Sequence, residues 1–217
     1  KNKFKNTFFD IVHFHSPLVP FVNLNTNKNI LTIHSTMKVD TSFINSISVH
    51  AVLNKIMGKF LSPIFENLLI KSCDNIIVVC KNIKNELINN YEYQNLITHY
   101  IPNGIDENLF KNLNLDRKNQ ILYVGRLGYR KGIPVLLEAV KNMQQYIRDN
   151  EFNIVLCGRG KLYTFSNNFI NRNKLNDILT ITEKSQEEIN YLYNESRFLI
   201  MNSTYETGPR TILEAIY

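Results

Sequence analysis

The chain has 217 residues, 44% of them hydrophobic, which suffices for one large domain or two small ones around a packed core. A formal net charge of +6 and a pI near 9.1 favour anionic partners such as nucleic acid, phosphorylated metabolites or an acidic membrane face, without choosing among them. Three cysteines, Cys73, Cys80 and Cys157, form neither a CxxC pair nor an even framework, so they read as small core residues in a reducing compartment rather than as a disulfide scaffold or a zinc site. No charged-then-apolar signal opens the chain, and its most apolar stretch, 52–70, is interrupted by Lys55, Lys59 and Glu66. A soluble cytoplasmic protein is expected.

In chain order, short β-branched runs without alternation predict buried parallel strands at 10–15, 30–34, 75–79, 97–101, 120–124, 153–157, 178–182 and 198–201. Amphipathic segments between them predict helices at 42–71, broken near Pro63, and at 82–90, 131–148, 185–194 and 209–217. Strand-helix alternation of this kind means α/β layers. The polar stretch 106–119 has few apolar anchors and is read as a boundary, with one domain at 1–110 and another at 117–217. Both are expected to be Rossmann-like, doubly wound parallel sheets, with ligands at the carboxyl ends of strands in the cleft between them. The chain opens on Lys1 rather than methionine and its last helix is two turns long, so a fragment of a longer protein is expected, both domains truncated.

The segment ILYVGRLGYRKGIPVLLEAV, 121–140, runs from a strand through Arg126 at its tip to Lys131-Gly132 and a helix with Ile133, Leu136, Leu137 and Val140 on one face. Such a crossover aims backbone N–H groups and the positive end of a helix dipole at one point, and Arg126 and Lys131 add full charges, which suits a diphosphate. A solvated basic turn is the plainer alternative. A P-loop is excluded, because no GxxxxGK[ST] occurs. The terminal stretch YETGPRTILEAIY places Glu206 before a Gly208-Pro209 corner and Glu214 in the helix that follows, in a Glu-x7-Glu spacing. Both carboxylates are expected to face one cleft, with Gly208 admitting a ligand close to the backbone and Pro209 suiting the first helical turn. His34 ends a predicted strand in TIHST, and His13 and His15, two apart in HFH, point the same way on another.

VGRLGYRKG with the preceding IPNGID at 101–106 and ETGPRTILEA at 206–215 resembles the signature of family 4 glycosyltransferases, the retaining group 1 enzymes of the GT-B fold. The resemblance continues through DIVHFHS at 10–16, TIHST at 32–36 and CDNIIVVCKNIKNEL at 73–87, in the family's order, over nearly the whole chain. It implies transfer of a sugar from a nucleotide diphosphate donor to a hydroxyl acceptor, glycan or lipid-linked, in polysaccharide biosynthesis. Arg126 and Lys131 would neutralise the leaving diphosphate, Glu206 would hold the donor sugar, Glu214 the ribose, and His34 would face the reacting centre. Gly158, in the Gly158-Arg159-Gly160 turn, and Gly208, Pro209 and Arg210 would complete the donor side, and His15 and Ser16 would line the acceptor side. No cofactor and no metal are expected, as no acidic pair of the DxD type is present.

Thr180 and Thr182 depart from the family pattern where an aromatic and then a glycine are usual. The family's opening glycine-rich loop is not found in 1–10, and its closing segment beyond EAIY does not follow. Relatives that glycosylate lipids sit on membranes through basic amphipathic surface in the first half, so 42–71 carries an expectation of peripheral association with the inner membrane face, against a helix packed on its own sheet with its lysines in water. The rival readings are a nucleotide-sugar epimerase or phosphorylase of the same fold, and a non-catalytic module binding nucleotide or nucleic acid. The last lacks a basic-aromatic stripe, and nucleic acid is not an expected partner.

Overall fold

The computed structural model describes residues 7–16, 25–43, 56–91 and 97–217. Apolar β-branched runs form strands β1 (Phe8–Ser16), β2 (Asn25–Ile33), β3 (Asn75–Val78) and β4 (Thr98–Tyr100), paired in parallel in the order β1-β2-β3-β4. One sheet face carries Phe14, Leu31, Ile33, Ile76 and Val78, and the helices packed on it are α2 (Ser62–Lys71) and α3 (Lys81–Tyr91). Ile83, Leu87 and Tyr91 repeat at four-residue spacing along α3 and supply its buried stripe. A short helix, α1 (Met37–Ser42), follows β2, and a π turn, Met57–Leu61, leads into α2 with Pro63 in its first turn. The part of the predicted 42–71 helix at 44–55 lies outside the described residues.

The second sheet is built from β5 (Lys118–Val124), β6 (Asn153–Cys157), β7 (Leu179–Thr182) and β8 (Ser196–Leu199), all parallel, in the order β7-β6-β5-β8. Helices cover both faces. Tyr123, Ile154, Leu156 and Leu179 pack against α4 (Ile133–Asn142), α5 (Gln144–Asp149) and α6 (Tyr163–Arg172). Leu122, Val155 and Cys157 on the opposite face meet Tyr193 of α7 (Gln186–Glu195) and Ala215 of α8 (Arg210–Ile216). Burial on both faces explains why the central strands β5 and β6 hold apolar runs without alternation. The predicted helix 131–148 is two helices that meet at Met143, and it begins at Ile133 because Gly132 takes the left-handed conformation that ends a preceding 3-10 turn, Tyr129–Lys131.

The chain divides into two units, Lys1–Asn103 and Gly104–Tyr217. The division precedes the polar stretch that the sequence marks as a boundary. That stretch is packed onto the second unit: Phe110, 2% exposed, lies among Leu122, Val155 and Tyr193. Asparagines of α7 take the place of a partner strand, Asn190 accepting from the Lys111 N–H (3.2 Å) and Asn194 from the Leu113 N–H (2.7 Å). Replacing Phe110 with alanine is therefore expected to cost about 3–5 kcal/mol in urea unfolding of the protein, the range for a fully buried aromatic. A loss below about 0.5 kcal/mol, as on a surface linker, contradicts this packing.

Candidate active site

The order β7-β6-β5-β8 reverses direction between β5 and β8, and in an open α/β sheet ligands bind at the carboxyl ends of the strands flanking such a reversal. At the end of β5 the Gly125 N–H donates to the Cys157 carbonyl (3.0 Å), the Leu127 N–H donates to the Arg159 carbonyl (2.9 Å), and the Leu127 carbonyl accepts from the Leu162 N–H (3.0 Å). The β5 and β6 loops thus lie backbone to backbone. A Cβ at Gly158, φ 146°, would stand 2.1 Å from the Gly125 carbonyl oxygen, so only glycine fits there. Arg126 is carried exposed at the tip of β5, between these anchored residues.

From the end of β8 the chain returns across the start of α4. The Ile200 N–H donates to the Leu122 carbonyl (2.8 Å), the Thr204 N–H to the Arg130 carbonyl (2.9 Å), and the Asn202 amide to the Gly132 carbonyl (2.7 Å). This brings the Lys131 ammonium onto Oε1 of Glu206, with side chains 22% and 19% exposed. Tyr123, buried beneath, donates its hydroxyl to the Arg126 carbonyl (3.0 Å). Burial, and then the Glu206 carboxylate, push the Tyr123 phenol well above its ordinary range, with Arg126 opposing, so it stays a neutral donor. The sheet thus sets two cations and a carboxylate around one strand end.

Gly208, φ 102°, and Pro209 lead into α8. Glu214 does not share the partners of Glu206. Its side chain is 10% exposed, its Oε2 accepts from the Tyr193 hydroxyl (2.9 Å), and its Oε1 lies 3.6 Å from the Arg210 guanidinium. Burial and then Glu214 raise the Tyr193 phenol. Glu214 also lines a polar recess of about 100 Å³ with Lys111, Arg117, Asn190 and Tyr193, to which neither Glu206 nor Lys131 contributes.

In the first unit, His15 Nδ1 lies 3.1 Å from His34 Nε2 with the rings stacked, and His13 Nε2 lies 2.7 Å from the Thr32 hydroxyl. Ser16 is on the other face of β1, buried, and its hydroxyl bonds to Glu66, so only His15 of the His15-Ser16 pair shares a face with His34. Glu66 also accepts from the Met37 N–H (2.9 and 3.1 Å) and the Tyr91 hydroxyl, which fixes the turn after His34. Burial raises the Glu66 carboxyl against these hydrogen bonds. Burial, and then the neighbouring histidines, lower His13 and His34 below the usual 6.5. Histidines depressed in the folded state bind fewer protons than the unfolded chain, so their contribution to stability is present above the unfolded value and is lost as pH falls through the folded ones. NMR titration is expected to find both below 6.5, and His15→Gln to raise both; an unchanged titration in the variant contradicts the coupling.

The structure therefore joins Arg126, Lys131 and Glu206 around one strand end, with Gly158 in the adjacent loop, places Gly208, Pro209, Arg210 and Glu214 on the following turn and helix, and pairs His15 with His34. Sequence reasoning missed Tyr123, Asn202 and Thr204. A tyrosine within the apolar run 121–124 was the available sign of the first; the other two make contacts some seventy residues away in the chain and left none.

Comparison with known proteins shows two family matches. Residues 104–217 match the glycosyl transferases of group 1, and residues 1–109 match glycosyltransferase family 4. An uncharacterized glycosyltransferase of Methanocaldococcus jannaschii is 29% identical over 212 residues, which cover 95% of this chain and 53% of the relative. The chain thus spans about half the length of that curated relative. Among solved structures, sucrose-phosphate synthase of Thermosynechococcus elongatus is similar with a TM-score of 0.69 at 22% identity, covering 89% of this chain and 48% of that one. HepE of Anabaena, solved with UDP and glucose, is similar with a TM-score of 0.64 at 17% identity, covering 87% and 50%. These likenesses show the fold, two parallel α/β sheets of the GT-B type.

Proposed function

The chain belongs to the group 1 glycosyl transferases of family 4, and from that premise we propose that it is the part of a retaining enzyme that takes a sugar from a nucleotide diphosphate donor and passes it to a hydroxyl acceptor. The observation that carries the reading is the Lys131–Glu206 contact beside Arg126 at the reversal of the second sheet. As the glycosidic bond to phosphate lengthens, positive charge grows on the sugar and negative charge on the leaving diphosphate. Lys131 and Arg126 offer cations to the diphosphate. The Glu206 carboxylate, oriented by Lys131, accepts from sugar hydroxyls and favours the oxocarbenium-like state. Glu214 accepts from the ribose hydroxyls, while Arg210 and Tyr193 hold its carboxylate. His34 and His15 serve the acceptor hydroxyl, largely neutral at pH 7 in the case of His34 and so able to accept its proton. No metal is required in this scheme, because two side-chain cations meet the diphosphate.

The acceptor is a glycan or a lipid-linked glycan, and an exposed apolar face favours association with the inner membrane surface. Met57, Phe60, Leu61, Ile64, Phe65 and Leu68 are all exposed, Phe60 at 61% and Phe65 at 65%, with Lys59 and Lys71 beside them. No helix among the described residues is long and apolar enough to cross a membrane. An exposed apolar stripe flanked by lysines suits an interfacial contact. The test of the donor is a thermal-shift screen of the protein against UDP-, GDP- and ADP-sugars. A true donor at one hundred times its Kd stabilises the fold by about 2.7 kcal/mol. Equal melting temperatures with every nucleotide sugar contradict the reading.

A further inference from the structure

Lys131 is flanked on both sides by carbonyl groups that are tied to one loop. The carbonyl before it, Arg130, accepts two hydrogen bonds from Thr204, one from the N–H (2.9 Å) and one from the hydroxyl (3.1 Å). The carbonyl after it, Gly132, accepts from the Asn202 amide (2.7 Å) as well as from the Leu136 N–H that begins α4 (3.0 Å). The fit is close. Gly132 is left-handed, φ 72°, and a Cβ there would stand 2.3 Å from the Asn202 carbonyl oxygen and 2.5 Å from its amide nitrogen. Asn202 commits only its NH2 end to this contact, its buried Oδ1 having no hydrogen-bond partner among the described residues. Two residues beyond Thr204 the same loop delivers Glu206 to the Lys131 ammonium.

We infer that Asn202 and Thr204 are positioning residues, a backbone brace that sets Lys131 against Glu206 before any donor arrives. The inference rests on the donor-site reading above for its catalytic consequence, and on the hydrogen bonds alone for the brace. A partly exposed lysine–glutamate pair is weak when two long side chains must be ordered to make it. Here the backbone under the lysine is fixed on either side and the glutamate is fixed two residues from the same anchor, so little freedom remains to be lost. The catalytic cation and carboxylate then move as one unit with the β8 loop, and preorganisation resides in two uncharged side chains that need not touch the substrate.

The test uses Asn202→Ala, Thr204→Val and Thr204→Ser in the full chain. Thr204 is exposed, so Thr204→Val leaves the core intact and guards against a folding failure of the Asn202 variant. In donor-free protein, the amides of Lys131 and Gly132 are expected to exchange about 2–10-fold faster in Asn202→Ala and Thr204→Val, the equilibrium worth of one hydrogen bond, and at nearly the wild-type rate in Thr204→Ser. With a donor that stabilises the wild type, both disruptive variants should lose about 10–100-fold in kcat with donor KM changed less than about threefold, and Thr204→Ser should recover most of the loss. Unchanged exchange in both variants overturns the brace whether or not a donor is found. Faster exchange with wild-type kcat overturns its role in positioning. A wild type that no nucleotide sugar stabilises, with faster exchange in the variants, would instead remove the donor reading, and with it the catalytic half of the inference, while leaving the brace standing.

Discussion

Glu206→Gln is expected to lower kcat by about 100-fold and to leave the donor KM nearly unchanged, because a carboxylate beside the sugar contributes most once positive charge has developed there. Glutamine keeps the shape and one acceptor oxygen, so the loss isolates the charge. The same change at Glu214 should do the reverse. Its proposed partner, the ribose, carries no developing charge, so Glu214→Gln should mainly raise the donor KM with a modest fall in kcat. Their surroundings fit this division. Glu206 faces a lysine from another loop, whereas Glu214 is held within its own corner of the fold by Tyr193 and Arg210. Steady-state kinetics on the intact enzyme separates the two, and a Glu206→Gln enzyme with wild-type kcat removes the catalytic role assigned to that residue.

Arg126→Ala is expected to cost roughly 10–150-fold in kcat/KM, since a charge-assisted hydrogen bond to phosphate is worth about 1.5–3 kcal/mol. Lys131→Ala should cost more. It removes a cation from the diphosphate and also leaves Glu206, 19% exposed, without its counter-charge. In a double-mutant cycle of Lys131→Ala with Glu206→Gln, the combined loss should therefore fall short of the sum of the two single losses by at least about 0.5 kcal/mol, the mark of residues acting as a unit. Arg126 and Glu206, the glutamate being paired with Lys131 instead, should combine more nearly additively. Wild-type turnover in either cation variant contradicts the assignment to the diphosphate.

Much of the architecture was legible because both sheets are parallel and the central strands of the second are covered on both faces, so that β5 and β6 hold short apolar runs that stand out from their neighbours. The helix α6 was not legible: its sequence, YTFSNNFINR, is rich in asparagine, a poor helix former, and its buried stripe is only Ser166 and Ile170, four apart. The packing of the stretch 106–119 was not legible, because one phenylalanine, Phe110, with two asparagines of α7 anchors residues that composition alone marks as loose. Alternation in β1 already separates Ser16 from His15, since side chains two apart share a face and neighbours do not. The meeting of Lys131 with Glu206 lies beyond local pattern. It depends on β8 pairing with β5, a crossover that no window of sequence displays.

The central claim is that a nucleotide sugar is the donor and that its sugar is transferred. It is tested most directly by incubating the intact enzyme with the donor that stabilises it and a panel of glycan and lipid-linked acceptors, following phosphorus and anomeric proton signals by NMR. The account predicts one nucleoside diphosphate released for each new glycosidic bond, with the anomeric configuration of the donor kept in the product. Free or epimerised sugar, formed at the same rate with and without acceptor and with no new glycosidic bond, would contradict it.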